Sequence, residues 1–292
     1  VIESCWSDGN GGGISLFGSN SELFNCKVTG NSSNGSGGGI HTYLGNIKIV
    51  SCEISQNISS NNGGGIFLLG EQYHTPNVWN CLIDRNTAGY TGGGIAFYTM
   101  HPRITNCTIA GNQASTGAGI SMNGYSNPII TNCIIWANSP DSLYEEPTTN
   151  PDITYCLIPG DYPGLYNIDA DPLFYSSDLG EYYLSNKEAG QNRFSPCINS
   201  GWKPSNHVCI EINWEQLCLA DLTTRTDHVP DLIQSDMGYH YPTDQVAPTP
   251  TPGPVCDPAG VELNMPASYY QPGDLCYLKA MVCNPWYSPW YD

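Results

Sequence analysis

The 292-residue chain is poor in positive charge. It holds 9 Lys and Arg against 27 Asp and Glu, a formal net charge of −18. That balance argues against a nucleic-acid or anionic-membrane partner. Charged residues of either sign make up only 12% of the chain, about half the usual share. No apolar run reaches the roughly 18 residues that would span a bilayer, so no transmembrane segment is expected. No Cys-x-x-Cys pair occurs, so a tetrahedral thiolate metal site lacks its usual local ligands. What the chain has instead is glycine (32), proline (22) and cysteine (13). The first two, with so few charges, argue against a helical protein.

A period of about 26 residues organises the first half, and such periods decide a fold before anything else does. Gly-Gly-Gly-Ile stands at 11–14, 37–40, 63–66 and 92–95, and returns as Gly-Ala-Gly-Ile at 117–120. A second anchor is a cysteine, usually after Asn, at Cys5, Cys26, Cys52, Cys81, Cys107, Cys133 and Cys156. Three residues before it comes an apolar residue (Ile2, Leu23, Ile49, Val78, Ile104, Ile130, Ile153), and two after it another, from Val28 to Ile158. Five after it stands Asn10, Asn31, Asn57, Asn86, Asn112 or Asn138, then Asp161. Alternation in short Ile- and Val-rich runs reads as strands with one buried face.

Strands of four or five residues bury no core alone, but stacked repeat on repeat they do. The expected fold is all-β: a parallel β-helix with one coil per period. Parallel strands lie about 4.8 Å apart, so like residues form ladders. Asn31, Asn57, Asn86, Asn112 and Asn138 are expected as one, each amide bonding to the next and to bent backbone. Cys26, Cys52, Cys81, Cys107 and Cys133 are expected as another, as buried thiols acting as small hydrophobes. A leucine-rich repeat is the rival, but its Leu frame and helical segments are absent.

The Gly-Gly-Gly-Ile anchor together with Ile-Thr-Asn-Cys-Thr-Ile-Ala-Gly-Asn at 104–112 resembles the right-handed parallel β-helix repeats of the pectin-lyase-like superfamily. It is similar in kind to the polymorphic-outer-membrane-protein type of bacterial secreted and surface proteins. That family's Phe-x-x-Asn stands here with Val28, Ile54 or Ile83 in place of Phe. Residues 169–174, 195–201 and 236–242 resemble the C-terminal end of such helices. The resemblance implies an extracellular or cell-surface setting. It indicates activity weakly, since lyases, hydrolases, epimerases and adhesins share the fold.

The expected organisation is coils over 1–160, incomplete at the N-terminus, and final coils with a C-terminal cap over 161–245. A Pro/Thr linker follows at 246–254, reading Val-Ala-Pro-Thr-Pro-Thr-Pro-Gly-Pro, an extended composition. Residues 255–292 read as the start of a β-sandwich-like module. The chain opens inside a repeat and stops inside this module, so a piece of a longer protein is expected. Cys209 and Cys218, and two of Cys256, Cys276 and Cys283, are candidates for disulfides, and their pairing is left open.

Function is written less plainly. Only six of the 27 acidic residues fall before residue 139, leaving the rod nearly neutral and the remainder acidic. No cofactor is required by any motif. Asp169 and Asp171 are weak Ca²⁺ candidates through their oxygens. Lys27, Lys48, Arg85 and Arg103 occupy no matching positions in adjacent coils, so no basic cleft of a polysaccharide lyase is evident. Glu53 and Asp84, from adjacent coils, are expected on one face as a carboxylate pair for a glycosidase reading, but without surrounding aromatic or polar density. His41, His74 and His101 read as solvated outward or turn residues. The more suggestive feature is an outward stripe of Phe17, Tyr43, Leu69 and Tyr98, with His41 and Phe67 beside it. Aromatic rings stack on the apolar faces of sugars, and an exposed stripe of this kind implies a partner. The expectation is an exported, non-catalytic scaffold that binds polysaccharide or another surface protein there. A carbohydrate-active enzyme is the alternative.

Overall fold

The computed structural model describes residues 1–212 and 215–243, with the backbone of Tyr277–Lys279. The repeats form a right-handed parallel β-solenoid of about six turns. Each coil runs through four short strands. The glycine sheet stacks Ile14–Phe17, Ile40–Tyr43, Ile66–Leu69, Ile95–Tyr98, Ile120–Asn123 and Leu143–Glu145. The pre-cysteine sheet stacks Glu22–Phe24, Lys48–Val50, Asn77–Trp79, Arg103–Thr105, Ile129–Thr131 and Asp152–Thr154. The post-cysteine sheet runs from Ile2–Glu3 through Lys27–Thr29, Glu53–Ser55, Leu82–Asp84 and Thr108–Ala110 to Ile134–Trp136. A two-residue post-asparagine sheet (Trp6–Ser7, Ser32–Ser33, Ile58–Ser59, Thr87–Ala88) closes the coil.

Like residues do stack on like. Ile14, Ile40, Ile66, Ile95 and Ile120 are in register, and they form one core with Leu23, Ile49, Val78 and Ile104 and with the ladder sulfurs. The two corners flanking the post-cysteine sheet are built alike. A residue in the left-handed region comes first: Asn25, Ser51, Asn80, Asn106, Asn132 and Tyr155 before the cysteines, with φ of 49–58°. Before the ladder asparagines it is Gly30, Gln56, Arg85, Gly111 or Ala137, with φ of 53–63°. The next side chain then points inward and reaches to the preceding coil. Asn86 Nδ2 donates to Ile54 O at 2.8 Å, and Cys107 Sγ donates to Val78 O at 3.5 Å. Each also accepts the backbone N–H of its counterpart one coil back.

The third corner needs its three glycines for three reasons. The first is left-handed, with φ of 57–72°, where a side chain costs energy. A Cβ on the second, Gly38, would collide with the Ile58 carbonyl. A Cβ on the third would stand 2.9–3.1 Å from the Nδ2 of a ladder asparagine, as at Gly39 over Asn57 or Gly94 over Asn112. Ala118 takes the second position where the following coil departs at Ser139–Pro140, and its N–H donates to Asp141.

Two register expectations are corrected. Ile2 pairs with Val28, which sets Cys5 over Asn31 and not over Cys26. Cys5 therefore opens the asparagine ladder, its N–H donating to Asn31 Oδ1 at 3.0 Å, and Asn10 is no ladder member. Asp161 lies exposed outside the ladder. At the far end Asn167 closes the cysteine stack, accepting the Cys156 N–H at 3.0 Å and donating to Ile153 O. The thiols of Cys52, Cys81, Cys107, Cys133 and Cys156 are free and buried. Cys26 departs from the free-thiol expectation, being disulfide-bonded.

After the last partial coil the chain turns back along the rod. A hairpin, Phe174–Ser177 with Gly180–Leu184, packs near the post-cysteine sheet, where Leu184, Cys197 and Met237 bury Ile134 and Leu157. A second, Cys209–Ile212 with Glu215–Cys218, carries a Cys209–Cys218 disulfide, a pairing the sequence had left open. It covers the outer face of the pre-cysteine sheet at Val50 and Trp79. Between them residues 235–240 run along the corner ridge. His240 exchanges two hydrogen bonds with Asn80, Asn106 donates to Asp236 O, and Gly238 N–H donates to Asn132 O. Helix is limited to three short 3₁₀ turns among the described residues, and no helix there is long and apolar enough to cross a membrane. The 246–254 linker, the 255–292 module and pairing among Cys256, Cys276 and Cys283 lie outside the described residues, apart from Tyr277–Lys279 running antiparallel to Glu22–Phe24.

Candidate functional site: the outer face of the glycine sheet

Period-two alternation places one row of each glycine-sheet strand inward (Ile40, Thr42) and the other outward. The outward rows are Ser15, His41, Phe67, Ala96 and Ser121, and Phe17, Tyr43, Leu69, Tyr98 and Asn123, each in register. The aromatic residues expected from the sequence are therefore brought together. Phe17 and Tyr43 have ring centroids 5.1 Å apart, His41 and Phe67 5.7 Å, and Phe67 and Tyr98 5.9 Å.

They are not equally accessible. Phe17 is 76% exposed and Tyr43 36%, whereas Leu69 and Tyr98 are half-buried and Asn123 is buried. His41 and Phe67 lie outward yet are only 6% exposed each. The solvated-histidine expectation thus fails for His41: both its ring nitrogens are buried without a hydrogen-bond partner. Burial pushes its pKa below the ordinary histidine value, so the ring is neutral at pH 7. Burial, then the nearby Glu146 and Tyr144, raises that of the Tyr98 hydroxyl. His74 and His101 do sit in turns, where His101 Nδ1 accepts the Asn127 N–H at 2.9 Å.

Two aromatic residues escaped the sequence reading. Tyr73 and Tyr125, 76% and 70% exposed, stand on the loops that leave the same sheet. The signal for Tyr73 was the 29-residue repeat between Cys52 and Cys81, whose extra residues bulge in that loop.

The other candidates are not assembled as the sequence left open. Asp84 and Glu53 share the outer face of the post-cysteine sheet, offset by two positions, since Leu82 pairs with Glu53. Glu53 is held by Lys27 at 2.7 Å. The Asp84 side chain is 1% exposed, bound by Arg85 Nε at 2.7 Å and the Tyr182 hydroxyl at 3.2 Å. Burial raises its pKa despite Arg85. Asp169 and Asp171 are exposed, and Asp171 caps the Leu173 N–H at 2.8 Å. Among the described residues no group of three or more His, Cys, Asp or Glu is placed to hold a metal ion.

A family model described as "Right handed beta helix region" matches residues 38–169. No curated protein and no solved structure matches the chain. The match falls on the coils, and with their geometry it supports the right-handed parallel β-helix as the fold of this region.

Proposed function

We propose that this chain is an exported or cell-surface scaffold, non-catalytic, which binds polysaccharide through the outer face of the glycine sheet. The observation that carries the reading is the close, exposed ring pair Phe17 and Tyr43, tilted at 45° to each other on a regular parallel sheet. Sugar rings present apolar faces that such rings cover, and an exposed aromatic surface on a soluble rod is costly without a partner. Export is supported by the Cys209–Cys218 disulfide, a bond that persists in oxidising compartments. The resemblance to pectin-lyase-like and polymorphic-outer-membrane-protein repeats points the same way. The test is retention of the full chain on immobilised polysaccharides. The Phe17→Ala, Tyr43→Ala double variant should lose about tenfold or more in retention, the scale of removing aromatic anchors. Equal retention of variant and parent would refute the assignment of the face.

A further inference from the structure

We infer that the ligand of this face is a neutral polysaccharide, bearing hydroxyls and no carboxylates; the inference rests on the polysaccharide reading above and narrows it. Binding a polyuronate requires cations beside the sugar carboxylates. The six strands of the glycine sheet contain no Lys or Arg, and neither do the loops at 18–21, 44–47, 70–76, 99–102, 124–128 and 146–151 that leave them. Lys48 and Arg103 begin strands of the pre-cysteine sheet, and Lys48 is already paired to Glu22 at 2.8 Å. The formal charges on or beside the face are negative: Glu145 ends its last strand, Glu146 lies close enough to Tyr98 to resist its ionisation, and Glu71 stands in the long loop. The histidine within the stripe adds no cation, being neutral at pH 7. Among the described residues a carboxylated chain would meet like charge and no counterion on this face, inside a protein of net charge −18.

The polar groups present suit hydroxyls. The hydroxyl of the exposed Tyr43 both donates and accepts a hydrogen bond. A sugar hydroxyl donates and accepts in the same way. Ring stacking with Phe17 and Tyr43 supplies the apolar contact, and a hydrogen bond to the Tyr43 hydroxyl supplies the orientation.

The experiment compares retention of the full chain on galactomannan and β-glucan with that on polygalacturonate and alginate, at low and high salt. The expected result is retention on a neutral polymer at least about tenfold stronger than on either polyuronate, and little changed by salt because no ion pair is screened. Ser15→Lys, an exposed position in the outward row, should add salt-sensitive retention on polyuronate. Salt-sensitive preference of the parent for polyuronate, abolished by Phe17→Ala with Tyr43→Ala, would overturn the inference and leave the polysaccharide reading standing. Absence of retention on all four polymers would remove that reading and the inference with it. A Ser15→Lys chain unchanged on polyuronate, while the parent is held by a neutral polymer, would show that the ligand binds elsewhere.

Discussion

Asn86 and Asn112 share one oxygen: Asn112 Oδ1 accepts both the Asn86 side-chain amide at 3.0 Å and the Asn86 backbone N–H at 2.9 Å. The contact repeats from Asn31 to Asn138 and locks every coil to the next at the corner after the post-cysteine sheet. Asn86→Ala strands the Ile54 carbonyl and two donors of Asn57, all buried. At 1–3 kcal/mol for each unsatisfied group, the variant should lose about 3 kcal/mol or more in chemical denaturation, while the aromatic face keeps its ligand. A loss below about 1 kcal/mol would mean that the ladder is not under strict demand.

Three sulfurs of the stack should be chemically silent. Burial pushes the thiols of Cys81, Cys107 and Cys156 well above their ordinary pKa, and a thiol that cannot ionise does not alkylate. Iodoacetamide should leave these residues unmodified in the native protein and label them only on unfolding, as mass spectrometry would show. Cys107→Ser places a hydroxyl in the apolar barrel and should cost about 1–2 kcal/mol.

Glycines at the corners should separate into two classes. Gly30, at φ 62° with open space around its missing Cβ, occupies a position that Gln56, Arg85 and Ala137 fill in other coils. Gly30→Asn should cost less than about 1 kcal/mol. Gly38→Ala drives a methyl into the Ile58 carbonyl and should cost several-fold more. Thermal unfolding of the two variants measures the contrast.

The flank should loosen as pH rises. Burial, then the charge of Asp231, raises the Asp236 carboxyl to about 6, where an ordinary aspartate titrates near 4. The protonated form is thus the one that folding favours. Its stabilising contribution is complete below about pH 4 and is lost as pH climbs through about 6. Asp236→Asn keeps an acceptor for the Asn199 N–H and gains a donor toward Thr224. Its denaturation midpoint should vary less than the parent's between pH 4 and 7.

The coil, its two ladders and the outward aromatic row were legible because a solenoid writes its contacts at one fixed separation. The misplacement of Cys5 has the same origin. Ile2-x-x-Cys5 and Val28-x-x-Asn31 are one three-residue step from an inward aliphatic to an inward corner, and sulfur and amide do the same bonding there. Only the 21-residue gap to Cys26 marked the difference. The burial of His41 and Phe67 was hidden because alternation tells which side a residue faces, not whether that side is open. The ridge contacts of Asn80 and Asn106 were hidden too, since their partners lie 160 and 130 residues away and no period connects them.

The stacking itself can be measured by cross-linking. Thr29 and Ser55 are in register on adjacent coils, with hydroxyls 3.0 Å apart, whereas Trp136 occupies the same column several coils further on. In a Cys5→Ser background, Thr29→Cys with Ser55→Cys should be bridged intramolecularly by dibromobimane, with the fluorescence and mass of a closed loop. Thr29→Cys with Trp136→Cys should not be bridged. A bridge in the second pair, or none in the first, would contradict the coil-over-coil register from which the face, the ladders and the proposed ligand are all read.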